Sequence, residues 1–553
     1  MQDQISRPTG TVRNRAESNP PRTARGRSLP ALRFGGASLG STTVTFFAIL
    51  LLGTFARTWE WRSLPPGLNQ DEASSGVDAF SLYHFGVDAN GVSYPVHLIS
   101  FGSGTSALYA YTLIPFIALG GLSPFTVRLP MLISGLLTLP LIYFIGKRVA
   151  GREYGLICMF LLAISPWHIL LSRWGLDSNI LPFVFALGFL LLLKSIADNR
   201  RFVPAMAVMA LCLYAYGTAF AALPLFLLSG LPTLVLTKQL RGRILVAGLF
   251  VFIIMAAPIA LFLLVNTFHW ESVRLGPVTV PRIPITPRFE TMGLFFHGDL
   301  LPNLIGHLRD LLRLLWLQLD DRILNGVPPY GYFYRLTFPL AVLGAALLIP
   351  FHGAGRQPER LLLVLWLVAG LILGVLQPAN INRMNLAFLP MILCVGAVLV
   401  WLGQRSRIAL WAAISVFVVS FLFFTLDYHS AAYRSAAARE SFPGLLPAID
   451  FASRNSSNRI CVTDAVNEPY IFVLFSQKID PAEYLPGIVY ARQAYDIRKV
   501  ILLNRYRFGL GHCPDDDSLV YVLSGETPPR ADIPYRVVVF DGFKVYLPET
   551  ASD

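Results

Sequence analysis

The sequence predicts a polytopic α-helical membrane protein of about 11 transmembrane helices, followed by a C-terminal exported α/β domain. Three observations carry that expectation. Only 14% of the 553 residues are charged and 54% are apolar, with a mean hydropathy of +0.56, whereas soluble domains carry roughly a quarter charged residues. Apolar runs with almost no charge recur at roughly the 17–25 residues that match the hydrocarbon thickness of a bilayer. Beyond residue 430 the pattern changes to short β-branched and aromatic runs separated by Pro, Asp and Gly. A water-soluble enzyme is excluded by the first two. No compact basic domain with interleaved aromatics supports nucleic-acid binding, although the formal charge is +12.

Residues 1–40 hold seven Arg against Asp3 and Glu17 and read as a disordered, basic, cytoplasmic tail. The membrane domain follows over 41–430, with spans expected near 42–58, 126–146, 153–172, 179–197, 202–217, 220–237, 244–266, 336–351, 361–377, 384–403 and 408–426. The first run is a retained helix rather than a cleaved signal peptide, because so much apolar sequence follows it. Over 202–237, interrupted by Tyr216-Gly217-Thr218, a hairpin of two short helices and one bent helix stay equivalent. The stretch Ser106–Gly120, with Pro115 inside, is too short to cross. Read as an interfacial or re-entrant helix, it puts Lys147/Arg148/Arg152, Lys194/Arg200/Arg201, Lys238/Arg241/Arg243, Arg356/Arg360 and Arg405/Arg407 on the cytoplasmic side, as the positive-inside rule requires.

That orientation predicts a multi-pass protein of the plasma (inner) membrane with three extracytoplasmic parts. The first loop, 59–125, has five acidic residues and Arg62 as its only base before residue 105. The loop 267–335 has a Pro-rich start, an amphipathic stretch near Leu300–Leu319, and seven Arg balanced by six acids. The terminal domain, 431–553, has strands expected at Arg459–Thr463, Tyr470–Phe475, Lys499–Leu503, Leu519–Leu523, Tyr535–Phe540 and Phe543–Leu547. Cys461 and Cys513 both lie there and either pair or remain buried thiols, whereas Cys158, Cys212 and Cys394 fall in spans.

Candidate chemistry begins at Pro65-Pro66-Gly67-Leu68-Asn69-Gln70-Asp71-Glu72-Ala73, a turn that delivers adjacent carboxylates to the start of a helix over Ala73–Phe85. Acids at that position complement the helix dipole; a carboxylate at the membrane face also serves as a general base towards a hydroxyl or amine. Arg128, Arg173 and Arg383 stand at outer span ends, where a guanidinium either snorkels to headgroups or binds an anion. Arg383, in the short turn Asn380-Ile381-Asn382-Arg383, is the preferred holder of a leaving phosphate. Asp177 either pairs with Arg173 or lines the site. His168 reads as a hydrogen-bonded interface residue, and Trp59, Trp61, Trp167 and Trp174 as an interfacial belt, with sugar stacking open for Trp174. His269, Glu271, His297 and Asp299 lack diagnostic metal spacing, and no HExxH, CxxC, Walker or Rossmann motif occurs.

The ordered set Asp71-Glu72, Phe101-Gly-Ser-Gly-Thr-Ser-Ala-Leu-Tyr-Ala-Tyr111, Val127-Arg128-Leu-Pro130, Ser165-Pro-Trp-His168, Ser172-Arg173-Trp-Gly175 and Asn382-Arg383 resembles the GT-C superfamily of integral-membrane glycosyltransferases. Within it the chain is similar to the bacterial branch of protein O-mannosyltransferases and the lipid A aminoarabinose transferase, over roughly residues 42–430. The resemblance implies inverting transfer of a sugar from a polyprenyl-phosphate-linked donor to a lipid, glycan or protein acceptor at the outer face. It implies Asp71 as catalytic base, Glu72 as a supporting or metal-contacting neighbour, and Arg128, Arg173, Asp177 and Arg383 on the substrate side. Gly102-Ser103-Gly104 replaces the family's acidic-Lys-Pro element, so no metal or donor-phosphate contact carries over there. A divalent ion is left open as cofactor. A flippase for a lipid-linked sugar is the rival expectation, and a non-catalytic scaffold a second.

Overall fold

The computed structural model describes residues 39–285, 300–318, 322–349, 357–491, 497–530 and 532–549. The basic tail up to residue 38, together with His297 and Asp299, lies outside them. Among the described residues, seven helices are long and apolar enough to cross a membrane. The helices, in order, are α1 (Leu39–Thr58), α2 (Gln70–Phe85), α3 (Leu108–Gly120), α4 (Pro124–Ala150), α5 (Arg152–Ala163), α6 (Pro166–Leu171), α7 (Asp177–Ser195), α8 (Phe202–Ala215), α9 (Ala219–Leu236) and α10 (Gly242–Thr267). They continue with α11 (Leu300–Leu312), α12 (Thr337–Leu348), α13 (Pro358–Leu376), α14 (Ile381–Arg405), α15 (Arg407–Tyr428), α16 (Ala431–Ser441), α17 (Leu445–Asn455) and α18 (Pro469–Gln477). The seven long ones are α4, α7, α9, α10, α13, α14 and α15, each matching an expected span.

Of the remaining expected spans, 42–58 is the unbroken α1, 336–351 is the 12-residue α12, and the others are broken. The span expected at 153–172 is two helices, α5 and α6. Pro166 has no N–H to continue the ladder and holds Ser165 extended at φ −73°, ψ 121°, so the chain turns at that point. The 202–237 stretch is likewise two helices, parted at Tyr216 by an extended backbone. Helix α3, expected not to cross, has 13 residues, about 20 Å at 1.5 Å per residue. Its start lies beside the cavity described below, through Ser106. Its end meets the first turn of α4, where Thr126 Oγ1 donates to Gly121 O at 2.7 Å.

Helix α14 is the hub, with 83% of its apolar window buried, against 22% for α10 and 17% for α15, which turn outwards. Small residues let helices close on it, since without a hydrophobic drive in lipid it is close van der Waals contact that joins them. A Cβ at Gly344 of α12 would sit 1.8 Å from Cys394 O, and one at Gly370 of α13 would sit 2.8 Å from Ala387 Cα. Helix starts follow local chemistry. Ser123 caps α4 ahead of Pro124 at its first position, and Asn380 caps α14 by accepting from Arg383 N at 2.9 Å.

The C-terminal part is a seven-stranded mixed sheet. After the short pairs β1 (His97–Leu98) with β2 (Thr105–Ser106) and β3 (Val273–Leu275) with β4 (Val278–Val280), its strands are β5 (Ile460–Val462), β6 (Val489–Tyr490), β7 (Val500–Leu503), β8 (Tyr506–Phe508), β9 (Val520–Leu523), β10 (Tyr535–Phe540) and β11 (Phe543–Pro548). Spatial order is β10-β11-β9-β5-β8-β7-β6. The central β5 is parallel to both neighbours, pairing Cys461 with Tyr521 and with Arg507, and the other pairs are antiparallel. Cys461 on β5 is bridged to Cys513, 52 residues on. The strand expected at Tyr470–Phe475 is instead the body of α18. Pro469 opens it, and a short apolar run does not distinguish strand from buried helix.

Helix α18 lies on α2, and that contact seats the sheet over the membrane part. Gly76 of α2 is the meeting point, since a Cβ there would be 2.8 Å from Val127 of α4 and 2.9 Å from Phe475 of α18. Near the preceding turn, Gly67 (φ +66°) lies so close to the end of α16 that a Cβ would be 2.0 Å from Ser441 O, and Leu68 N donates to that oxygen. On the same face, Glu60 beyond α1 takes both His429 Nδ1 at 2.8 Å and Arg434 Nη2 at 3.0 Å from the α15–α16 junction.

Candidate functional site

Asn69 and Glu72 build the start of α2. Asn69 Oδ1 accepts from Asp71 N at 3.0 Å, and Glu72 Oε2 accepts from Asn69 N at 3.2 Å, a reciprocal capping box. Successive helical residues point about 100° apart, so the adjacent carboxylates diverge. Glu72 turns inward and is fully buried. Its Oε1 accepts from Arg128 Nε at 2.7 Å and Gly175 N at 2.9 Å, while Oε2 takes Arg128 Nη2 at 2.7 Å. Both oxygens are committed to these donors, and this arrangement does not fit a metal-contacting role. Arg128 spends its remaining hydrogens on Pro65 O at 2.8 Å and Gly67 O at 2.9 Å, which pins the Pro-Pro-Gly turn to the head of α4.

Asp71 faces the other way, into a cavity of about 1380 Å³, open mouth included. Asp177 at the start of α7, Arg383 in the first turn of α14 and Arg322 from the long loop share that cavity, with the amides Gln70, Asn380 and Asn382 between them. Asn467, Glu468 and Ile497 of the C-terminal part complete the lining. A second space of about 720 Å³ adjoins it, sharing Asp177, Tyr216 and Arg383, and runs to Phe220 of α9 and Phe262 of α10. Arg383 therefore stands where the two meet, its Nη1 on Pro378 O at 2.8 Å.

Of the six residues singled out in the sequence, three reach the cavity: Asp71, Asp177 and Arg383. Glu72, Arg128 and Arg173 do not line it. Arg173 is fully buried, donating to Ala56 O at 3.1 Å and to Trp59 O and lying over the Tyr428 ring, so that it joins α1 to α15. The alternative of Arg173 pairing with Asp177 gives way to those contacts, and Asp177 Oδ1 accepts from Ser178 N at 2.7 Å. His168 is buried and accepts from Arg57 Nη2 through Nδ1 at 2.7 Å. Of the four tryptophans expected in an interfacial belt, Trp59 alone is exposed. Trp61, Trp167 and Trp174 are buried, with Trp167 Nε1 donating to Asn385 Oδ1 at 2.8 Å. Folding α6 inward at Pro166 is what carries Trp167 and His168 into the interior. His269 and Glu271 are exposed, and Glu271 pairs with Arg282.

Sequence reasoning missed Arg322 and Glu468. Arg322 belongs to a loop whose charges balance, so nothing set it apart. Glu468 precedes Pro469 at the start of a helix taken for a strand. Its backbone is left-handed at φ 50°, ψ 56°, and burial pushes its carboxyl up to about 7, against the opposing pull of Lys499. Beneath the site, Asp78 and Asp88 are buried near one another. Asp78 Oδ2 accepts from Ser100 Oγ at 3.0 Å, Ser100 Oγ in turn accepts from Ser74 Oγ at 3.1 Å, and Ser74 lines the cavity. Burial first, and then Asp88's charge on Asp78, push these carboxyls up.

No protein-family model matches the chain, and no curated protein matches it. Solved structures do. ArnT from Cupriavidus metallidurans, in a crystal structure bound to undecaprenyl phosphate, shares 15% identity over 93% of this chain and 99% of its own, with a TM-score of 0.52. Its apo form gives 14%, 92%, 98% and 0.52. The Archaeoglobus fulgidus oligosaccharyltransferase in its apo form gives 14% identity over 79% of this chain and 63% of its own, with a TM-score of 0.50. At such identities the likeness is one of fold. The chain shares the polytopic helical membrane fold of these structures, with a sheet-containing domain at its C-terminal end.

Proposed function

We propose that the protein is an inverting membrane glycosyltransferase that takes a sugar from a polyprenyl-phosphate-linked donor. The observation that carries this reading is one cavity lined by a carboxylate, Asp71, and by two guanidiniums, Arg322 and Arg383. Displacement at a phosphate-linked anomeric carbon needs a base on the attacking side and positive charge where the phosphate leaves. Asp71 takes the acceptor's proton as its oxygen bonds to the anomeric carbon. The bond from that carbon to the phosphate oxygen breaks, and the departing phosphate carries the electron pair towards Arg383 and Arg322. Supporting the lipid part of the donor, the space beyond Arg383 reaches Phe220 and Phe262, on helices that present apolar faces outwards. Such a donor at Arg383 has its chain in that groove and its sugar towards Asp71.

The cavity opens, in this reading, on the extracytoplasmic side of the plasma membrane, with the N-terminus cytoplasmic. Lys147 and Arg148 at the far end of α4 support that orientation, as does the Cys461–Cys513 bridge, since disulfides persist in oxidising compartments. The fold likeness to ArnT bound to undecaprenyl phosphate adds support for the donor class. The test is Asp71→Asn in the full chain in its membrane. Glycan transfer, followed by mass spectrometry of envelope glycans in a complemented deletion strain, falls to background while expression and melting temperature hold. Normal transfer by this variant removes the assignment.

A further inference from the structure

We propose that the sheet-bearing domain supplies part of the acceptor site, with Glu468 binding a hydroxyl of a hydroxyl-rich glycan acceptor that Asp71 deprotonates. This rests on the glycosyl-transfer reading and adds to it the acceptor's chemistry and the residue that recognises it. Three of the cavity's residues come from the C-terminal domain, Asn467, Glu468 and Ile497. They are held there by α18 on α2, locked at Gly76 against Phe475, and by Arg498 N donating to Phe101 O at 3.0 Å. Glu468 is presented from a left-handed backbone immediately before a proline, a sparsely populated conformation that persists only where packing imposes it.

Charge divides the cavity. Arg383 and Arg322 suit the singly charged phosphodiester of the donor, whereas Glu468, presented by the C-terminal domain and carrying no positive charge, is left for the other substrate. Its half-buried setting raises the carboxyl to about 7, so that near neutrality the uncharged form, which both donates and accepts a hydrogen bond as a sugar hydroxyl requires, is populated. The amides of Asn467 and Gln70 and the hydroxyls of Ser74 and Ser75, on the Asp71 side, offer the same mixed donor and acceptor chemistry. An acceptor presenting only an amine would instead select an ionised carboxylate.

The experiment uses the full chain, purified in nanodiscs for binding and expressed in a deletion strain for transfer. Undecaprenyl phosphate is the donor-side probe, and mass spectrometry with linkage analysis of envelope glycans reads transfer. Expected are unchanged undecaprenyl phosphate affinity in Glu468→Ala, transfer reduced at least tenfold in Glu468→Ala, recovery of most of it in Glu468→Gln, and the new sugar on a glycan hydroxyl. Melting temperature and an intact Cys461–Cys513 bridge certify folding, and the carboxamide variant keeps shape if alanine does not fold. Undiminished transfer in Glu468→Ala, a carboxamide as inactive as alanine, loss of undecaprenyl phosphate binding, or a product carrying the sugar on an amine or a polypeptide overturns the proposal. An active Asp71→Asn strain removes the underlying reading instead, so the two failures are told apart.

Discussion

Glu72 and Arg128 meet in two parallel hydrogen bonds of 2.7 Å, Nε to Oε1 and Nη2 to Oε2, with both side chains out of solvent. The pair joins the first turn of α2 to the first turn of α4 and leaves Asp71, one residue earlier, aimed into the cavity. Removing one partner strands a buried charge, which costs about 3–5 kcal/mol. Glu72→Gln and Arg128→Met are therefore expected to lower the melting temperature and the yield of folded protein, whereas Asp71→Asn leaves both unchanged. Thermal melts in detergent or nanodiscs check this. A Glu72 variant with normal melting and lost transfer would move Glu72 into the chemistry.

Arg383 lines both the larger cavity and the adjoining space that runs to Phe220 and Phe262. A charge-assisted hydrogen bond contributes about 1.5–3 kcal/mol, so Arg383→Ala is expected to weaken undecaprenyl phosphate binding by about 10- to 100-fold. Arg383→Lys keeps the charge but loses the fork, and falls between. Native mass spectrometry of the purified chain measures it; equal affinity in all three forms would place the phosphate elsewhere.

The buried carboxyls Asp78 and Asp88 make stability pH-dependent. In the unfolded chain an Asp ionises near 4 (about 3.9). In the fold, burial of both carboxyls, and the charge of Asp88 acting on Asp78, hold protons to higher pH. Between those limits the folded state binds more protons than the unfolded, so stability falls as pH rises from about 4 towards neutrality and levels off once the folded pair has ionised. Asp78→Asn removes the Asp78 share of this slope and leaves the part due to the buried Asp88. Its melting temperature is expected to exceed that of the wild type at pH 8 and not at pH 5; parallel curves would rule the pair out as the cause.

The Cys461–Cys513 bridge closes a loop whose ends are 52 residues apart. Chain entropy gives about 4 kcal/mol for that length, in a model that neglects strain. Reduction, or replacing both residues by Ser, is expected to loosen the sheet first, since β5 is its central strand. Hydrogen exchange read per peptide should show protection lost over β5, β8 and β9 while the long helices keep theirs.

Much of the fold was legible because the signals are local. Apolar length predicted the seven long helices, and Pro and Gly punctuation marked the turns. The errors came where a local pattern has two solutions. Tyr470–Phe475 is apolar enough for a strand or a buried helix, and its packing on α2 decides for helix. Ser165-Pro166 interrupts a run whose composition still reads as one span.

The sequence by itself determined that this is a membrane protein with an extramembranous sheet domain, and that Asp71-Glu72 opens a helix. Tertiary structure decided which carboxylate reaches the cavity. Neighbours on a helix point in different directions, and Glu72 is drawn inward by Arg128, 56 residues later on another helix. The same holds for the cations, since Arg173 is consumed by the carbonyls of α1 and the turn after it, while Arg322 and Arg383, far apart in sequence, line the same cavity. Glu468 carries that lesson furthest. Its place in the same cavity as Asp71 depends on a sheet domain docking across nearly four hundred residues of chain, a contact made through Gly76 and Phe475 that no local pattern encodes.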